Sequence, residues 1–129
     1  MQNVIAVFLG GGVGAVVRYL TGFLMIRFVH YNLPLSTFIV NIVGSFIIGI
    51  LYILFIDKPE INPALKFALT VGFCGGLTTF STFSLELFEM LGNQRFFQAF
   101  SYALISVIIC LIAVSLGAIL CKTLLNSIN

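Results

Sequence analysis

An all-α protein integral to the membrane is the fold class this sequence predicts, with four transmembrane helices in one domain over residues 1–129. Two observations predict it. Only 8% of the residues are charged while 60% are hydrophobic, and mean hydropathy is +1.19. A soluble domain carries about 25% charged residues. Six basic and four acidic side chains are too few to cover a water-soluble surface. Charges and helix breakers also divide the chain into apolar spans at about 4–26, 35–56, 64–91 and 96–120. Each span is close to the roughly 20 residues that cross a hydrocarbon core. The four spans use nearly the whole chain, so no soluble domain is expected. A net charge of +2 suggests no nucleic-acid partner.

The first span begins after Met1-Gln2-Asn3, which lacks the basic stretch of a signal peptide, so none is expected to be removed. It contains Gly10-Gly11-Gly12-Val13-Gly14-Ala15. This matches a dinucleotide fingerprint in form only. No acid follows about 20 residues on, and the first acidic residue is Asp57. Gly10 with Gly14 instead makes a small-xxx-small pair, as do Gly72 with Gly76 and Ser45 with Gly49, and such pairs let helices approach closely in lipid. Arg18 is the one basic residue well inside a span. Two readings are open for it: a functional site, the default for an intramembrane charge, or a side chain that snorkels or caps a neighbouring turn. Arg27, His30, Asn32 and Pro34 then mark a short loop.

The second span has no charge. Thr37, Asn41 and Ser45 fall at i, i+4 and i+8 and share one face. Asn41 is either part of a polar track or a structural interhelical hydrogen bond. The run Asp57-Lys58-Pro59-Glu60-Ile61-Asn62-Pro63 is a turn. In the fourth span Tyr102, Ser106 and Cys110 repeat the i, i+4, i+8 stripe, against a plainer reading of hydroxyls bonded to their own helix. Cys74, Cys110 and Cys121 have no metal-ligand spacing and read as small buried hydrophobes.

The third span is the unusual one. Residues 71–84 hold three glycines, five hydroxyl side chains and three phenylalanines. Gly75-Gly76 invites a helix break, so the third helix is expected to break near the stretch from Gly75 to Thr78, and a break at membrane depth needs protein or a polar cavity around it. Thr79-Phe80-Ser81 then repeats as Thr82-Phe83-Ser84, a period that stacks Phe80 near Phe83 and Ser81 near Ser84. Glu86 and Glu89 share a face near the span's end and border an aqueous vestibule in this reading.

Orientation is balanced. Lys58, Lys66 and Lys122 belong to one side and Arg18, Arg27 and Arg95 to the other, three against three. The positive-inside rule returns no direction. Either a span is misplaced or the protein inserts both ways, in which case two opposed copies pair as an antiparallel homodimer.

The chemistry on offer is a lining of neutral donors with no catalytic set, so no enzyme is expected. Amide N–H, hydroxyl O–H and the positive edges of phenyl rings suit a small, hard, partly dehydrated anion. A cation would prefer carbonyls, and carbonyls freed near Gly75 and Thr78 are where one would be held.

The motifs Gly14-Ala15-Val16-Val17-Arg18-Tyr19, Asn41 with Gly44 and Ser45, and the continuous run from Gly72 to Phe83 carry a resemblance. The chain resembles the Fluc (CrcB) family of bacterial fluoride channels over essentially its full length. The resemblance implies a dual-topology antiparallel homodimer in the bacterial plasma (inner) membrane, with two pores for passive fluoride export and a sodium ion at the dimer centre. It implies a fluoride path along Asn41, Phe80 and Phe83, with Tyr102 and Ser106 matching the family's polar track, and the polar stripes read from the residues themselves add Ser81, Thr82 and Thr37 to the expected path. From the residue reading, Arg18 and Glu86 are expected in the vestibule, and the main-chain carbonyls of Gly75 and Thr78 are the expected ligands of that sodium. Cys110 stands where the family's track would carry a serine, and a thiol is a weaker donor. Two rivals are of other classes. A small multidrug-type proton-coupled exporter needs a carboxylate in the first span, which is absent. A non-conducting scaffold needs packing glycines but not three polar stripes.

Overall fold

In the computed structural model, backbone is described for residues 1–28 and 34–128, and side chains for the same residues except 26–28 and 128. His30, Asn32 and the side chain of Arg27, assigned above to the first loop, lie outside the described residues. Among the described residues the regular elements are all helices, without a strand. Helix α1 covers Gln2–Phe28 and α2 covers Leu35–Asp57. The third span comes in pieces: α3 (Pro63–Phe67), a π segment (Ala68–Cys74), α4 (Gly75–Leu77) and α5 (Phe80–Gly92). Helix α6 covers Phe96–Ile128. Among the described residues, four stretches are long and apolar enough to cross a membrane: Gln2–Met25, Leu35–Asp57, Pro63–Gly92 and Phe96–Ser127.

The ends follow local chemistry. Pro63 opens α3 at a position where its missing N–H goes unneeded, and Asn62 caps the same end by accepting from the Ala64 N–H at 2.8 Å. Lys66 donates to Pro59 O at 3.1 Å, tying the turn 57–63 to the start of the third span. Gln94 turns the chain between α5 and α6 at φ 58°. Helix α6 runs past its expected end at 120 and carries Lys122. At 1.5 Å per residue its 33 residues span about 50 Å, well beyond a hydrocarbon core of roughly 30 Å.

The helices pack as two close pairs. Helix α1 lies along the π segment and α4, and α2 lies along α6. Small residues make both approaches possible. A Cβ on Gly76 would come within 2.5 Å of Gly11 O, and one on Gly72 within 2.9 Å of Val7 O. In the second pair, a Cβ on Gly49 would strike Val114 O, and one on Gly117 would strike Phe46 O. The glycines therefore let backbone meet backbone, which is how helices associate where lipid offers no hydrophobic drive.

That packing puts the interruption at the Thr78 end of the expected stretch from Gly75 to Thr78 rather than at the glycines. Gly75 is helical, at φ −65° and ψ −35°. The extended residues are Thr78 (φ −78°, ψ 158°) and Thr79 (φ −150°, ψ 121°). Gly76 is held against α1 by its backbone. Threonine, being β-branched, accepts extended geometry readily. Thr79 also caps the helix that follows, its Oγ1 accepting from the Thr82 N–H at 3.2 Å.

Candidate functional site: two cavities around Thr78 and Thr79

The two extended residues leave the helical ladder, so their backbone groups need other partners at membrane depth. Neighbouring helices supply them. Asn41 on α2 meets Thr79 with both halves of its carboxamide: Oδ1 accepts from the Thr79 N–H at 2.8 Å, and Nδ2 donates to Thr79 O at 3.2 Å. Arg18 on α1 donates from Nη1 to Thr78 O at 3.0 Å. Thr78 keeps one link to the preceding turn, its N–H and its hydroxyl each donating to Cys74 O at 2.9 Å. The Thr79 hydroxyl also donates to Thr82 Oγ1 at 3.0 Å and lies 3.3 Å from Ser81 Oγ.

Two cavities flank this dipeptide. One, of about 420 Å³, is lined by Asn41, Gly44 and Ser45 of α2, by Thr70, Cys74, Gly75 and Thr78, by Phe80 and Phe83 of α5, and by Ser106 and Cys110 of α6. The other, of about 310 Å³, is lined by Arg18, Tyr19, Ser36, Thr37, Val40 and Thr82. Thr79 lines both. The first combines hydroxyls, an amide, thiols and two phenyl rings; the second combines a guanidinium with hydroxyls.

The structure thus brings Asn41, Gly75, Thr78, Phe80, Phe83 and Ser106 to one cavity, and Arg18, Thr37 and Thr82 to the other. Phe80 and Phe83 are neighbours, with ring centroids 5.8 Å apart and planes at 43°. Their environments differ sharply: Phe80 is 79% exposed and Phe83 only 8%. Phe83 also packs on Tyr102, centroid to centroid 5.2 Å. Ser81 lies on the exposed face of α5. The Ser106 hydroxyl is buried with no hydrogen-bond partner among the described residues.

Glu86 ties three helices together. Its Oε1 accepts from the Thr37 hydroxyl of α2 at 2.6 Å, and its Oε2 accepts from the Tyr102 hydroxyl of α6 at 2.9 Å. Thr37, only 3% exposed, and Tyr102 are therefore engaged by a carboxylate on α5. Cys110 is half-buried, whereas Cys74 and Cys121 are buried. Thr79 and Gly44 were absent from the sequence-based site. The signal for Thr79 was present, a threonine three residues before Thr82 at the start of a helix. No signal foretold that the Thr78 methyl would occupy the space over Gly44.

Comparison with known proteins decides the family. A family model described as "CrcB-like protein, Camphor Resistance (CrcB)" matches residues 5–118. The chain belongs to the CrcB family. CrcB relatives match it nearly end to end. A "Fluoride-specific ion channel FluC" from Gloeothece citriformis is 46% identical, covering 95% of this chain and 98% of its own. A protein of the same name from Flavobacterium psychrophilum is 39% identical over 96% of this chain and 100% of its own. The Escherichia coli protein of that name is 45% identical over 87% of this chain and 84% of its own. With four candidate spans, this CrcB chain is a multi-pass membrane protein.

Proposed function

We propose that this chain is a fluoride-specific channel that exports fluoride passively from the bacterial cytoplasm across the inner membrane, lowering its toxicity. The observation that carries the reading is the near full-length match to relatives named as fluoride-specific ion channels, 39% to 46% identical. The match spans the interrupted helix and both helices that grip it. Neutral HF crosses bilayers, ionises in a less acidic cytoplasm and is trapped there. A passive anion pore lets it leave.

The cavities supply chemistry suited to that task. A dehydrating anion needs donors that do not bind it too tightly to leave. In the 420 Å³ cavity, these are the ring edges of Phe80 and Phe83, the Asn41 amide, and the Ser106 hydroxyl, which is buried and has no partner among the described residues. Around Thr79 the path continues through Ser81, Thr82 and Thr37 toward Arg18, with Glu86 and Tyr102 at the α5–α6 face. Nothing favours the multidrug-type alternative. The half-buried carboxylate of Glu86 is already held by two hydroxyls.

An antiparallel homodimer accounts for the even split of basic residues and for Phe80, which is 79% exposed beside its buried neighbour. The residues fit a sodium ion at the dimer centre. The Thr79 N–H turns to Asn41, which deprives Gly75 O of its helical donor, and Gly75 is exposed. Thr78 O accepts from Arg18 and has a second lone pair. Gly75 O and Thr78 O from two copies would hold the ion, which would supply a positive charge joining carbonyl dipoles across the interface.

Efflux from liposomes loaded with fluoride or chloride tests the reading. The reconstituted protein is expected to pass fluoride and not chloride, to generate an electrical potential while doing so, and to need no pH gradient. Electroneutral flux, or flux driven by protons alone, would overturn it.

A further inference from the structure

Arg18 and Asn41 come from different helices and act on adjacent residues. Arg18 donates to Thr78 O at 3.0 Å, and Asn41 takes both backbone groups of Thr79 at 2.8 and 3.2 Å. On the α2 side the Thr78 methyl fills the place a Cβ on Gly44 would need. The next residue is Phe80, the first of α5 and the first of the paired rings. An extended dipeptide between two helices has soft dihedrals unless its polar groups are tied down. Thr78 keeps a local tie to Cys74 O, but the ties from Arg18 and Asn41 are long-range, and the one from Arg18 is charge-assisted.

We propose that Arg18 is a positioning residue: its guanidinium, acting through the Thr78 carbonyl with Asn41 on Thr79, sets the geometry of the interruption and so fixes where the rings of Phe80 and Phe83 stand. A charge that merely drew anions into the 310 Å³ cavity would not need to spend a donor on a backbone carbonyl. Planarity and reach are the features that suit the guanidinium to this work, and a lysine lacks its rigid fork. The functional half of the inference rests on the channel reading; the structural half stands without it.

The experiment reads the ring directly. A 4-fluorophenylalanine placed at Phe80 reports by ¹⁹F NMR in detergent micelles, and a second one at Phe8, on the exposed face of α1, serves as the control. Both are recorded in the otherwise native chain, in Arg18→Ala and in Arg18→Lys. Fluoride efflux is measured on the same Arg18 variants without the reporter. In Arg18→Ala the Phe80 line is expected to shift or broaden while the Phe8 line stays, and efflux to fall about tenfold or more, as loss of a charge-assisted hydrogen bond implies. Arg18→Lys keeps the charge and places a poorer donor, so its line and its efflux should fall between the two. Should Arg18→Ala not fold, Arg18→Lys carries the test alone. An unmoved Phe80 line with reduced efflux would overturn the proposal and return Arg18 to direct contact with the anion. Arg18→Lys indistinguishable from the native chain in both readouts would also overturn it, since charge alone would then suffice. A shifted Phe80 line in a chain whose native form passes no fluoride would sink the channel reading and leave the clamp standing.

Discussion

Replacing Gly14 by alanine should unfasten α1 from α4, whereas the same change at Gly12, one turn-half away, should do no harm. A Cβ at position 14 would collide with Phe73 O and lie 2.8 Å from Leu77 N and 3.0 Å from Gly76 C. All three are backbone atoms in the π segment and α4, so no rotamer change relieves the overlap. Ordinary contact begins near 3.4 Å. The gap from 2.8 to 3.4 Å means a withdrawal of at least about 0.6 Å, and a gap of that size forfeits a quarter or more of the dispersion energy along the seam. Overpacking of this kind costs about 1–3 kcal/mol. At Gly12 a Cβ would meet nothing within 4 Å, and alanine gains up to about 1 kcal/mol of helix propensity. Thermal unfolding of both variants in the same detergent checks the contrast, with fluoride efflux recorded in parallel because Thr78 follows α4 directly. Gly14→Ala unfolding at the native temperature, or Gly12→Ala being the weaker of the two, would refute the reasoning.

Phe80→Ile and Phe83→Ile are both expected to lower fluoride efflux greatly by removing a ring edge. Phe83→Ile should also cost stability, about 1–3 kcal/mol, because that ring is 8% exposed and packed on Tyr102; an unchanged melting point for Phe83→Ile would count against this. Glu86→Ala should destabilise the fold by about 1–3 kcal/mol by leaving the Thr37 and Tyr102 hydroxyls without their acceptor, read as a lower unfolding temperature, and a Thr37→Val, Glu86→Ala double variant should lose less than the sum of the singles. Several basic residues added to one terminus should lock insertion in one direction and abolish efflux when that form is expressed alone; full efflux from a single locked orientation would rule out the antiparallel dimer.

That the chain holds four helices long and apolar enough to span a membrane was legible in the sequence, because transfer into lipid is a property each segment carries by itself and sums along the chain. The glycine pairs were legible for the same local reason. Gly10 with Gly14 and Gly72 with Gly76 advertise a face without side chains, and those faces meet across the α1 seam. The end of α6 was less so. Helical hydrogen bonding continues past the point where hydropathy falls, and Lys122 gave no stop signal strong enough to mark Ile128.

The place of the interruption was decided only by tertiary structure. Glycine propensity pointed to Gly75-Gly76, yet whether a helix breaks depends on who satisfies the freed backbone. The partners are Asn41, 38 residues before Thr79, and Arg18, 60 residues before Thr78. The roles of Glu86, which binds α2 to α6 through two hydroxyls, and the split of Phe80 to the outside and Phe83 to the inside belong to the same class. A threefold spacing puts two rings on one side of a helix, but which of them is covered depends on where α6 lies. Polar pairing between distant helices is a property of two segments at once, and a single segment's sequence carries only half of it.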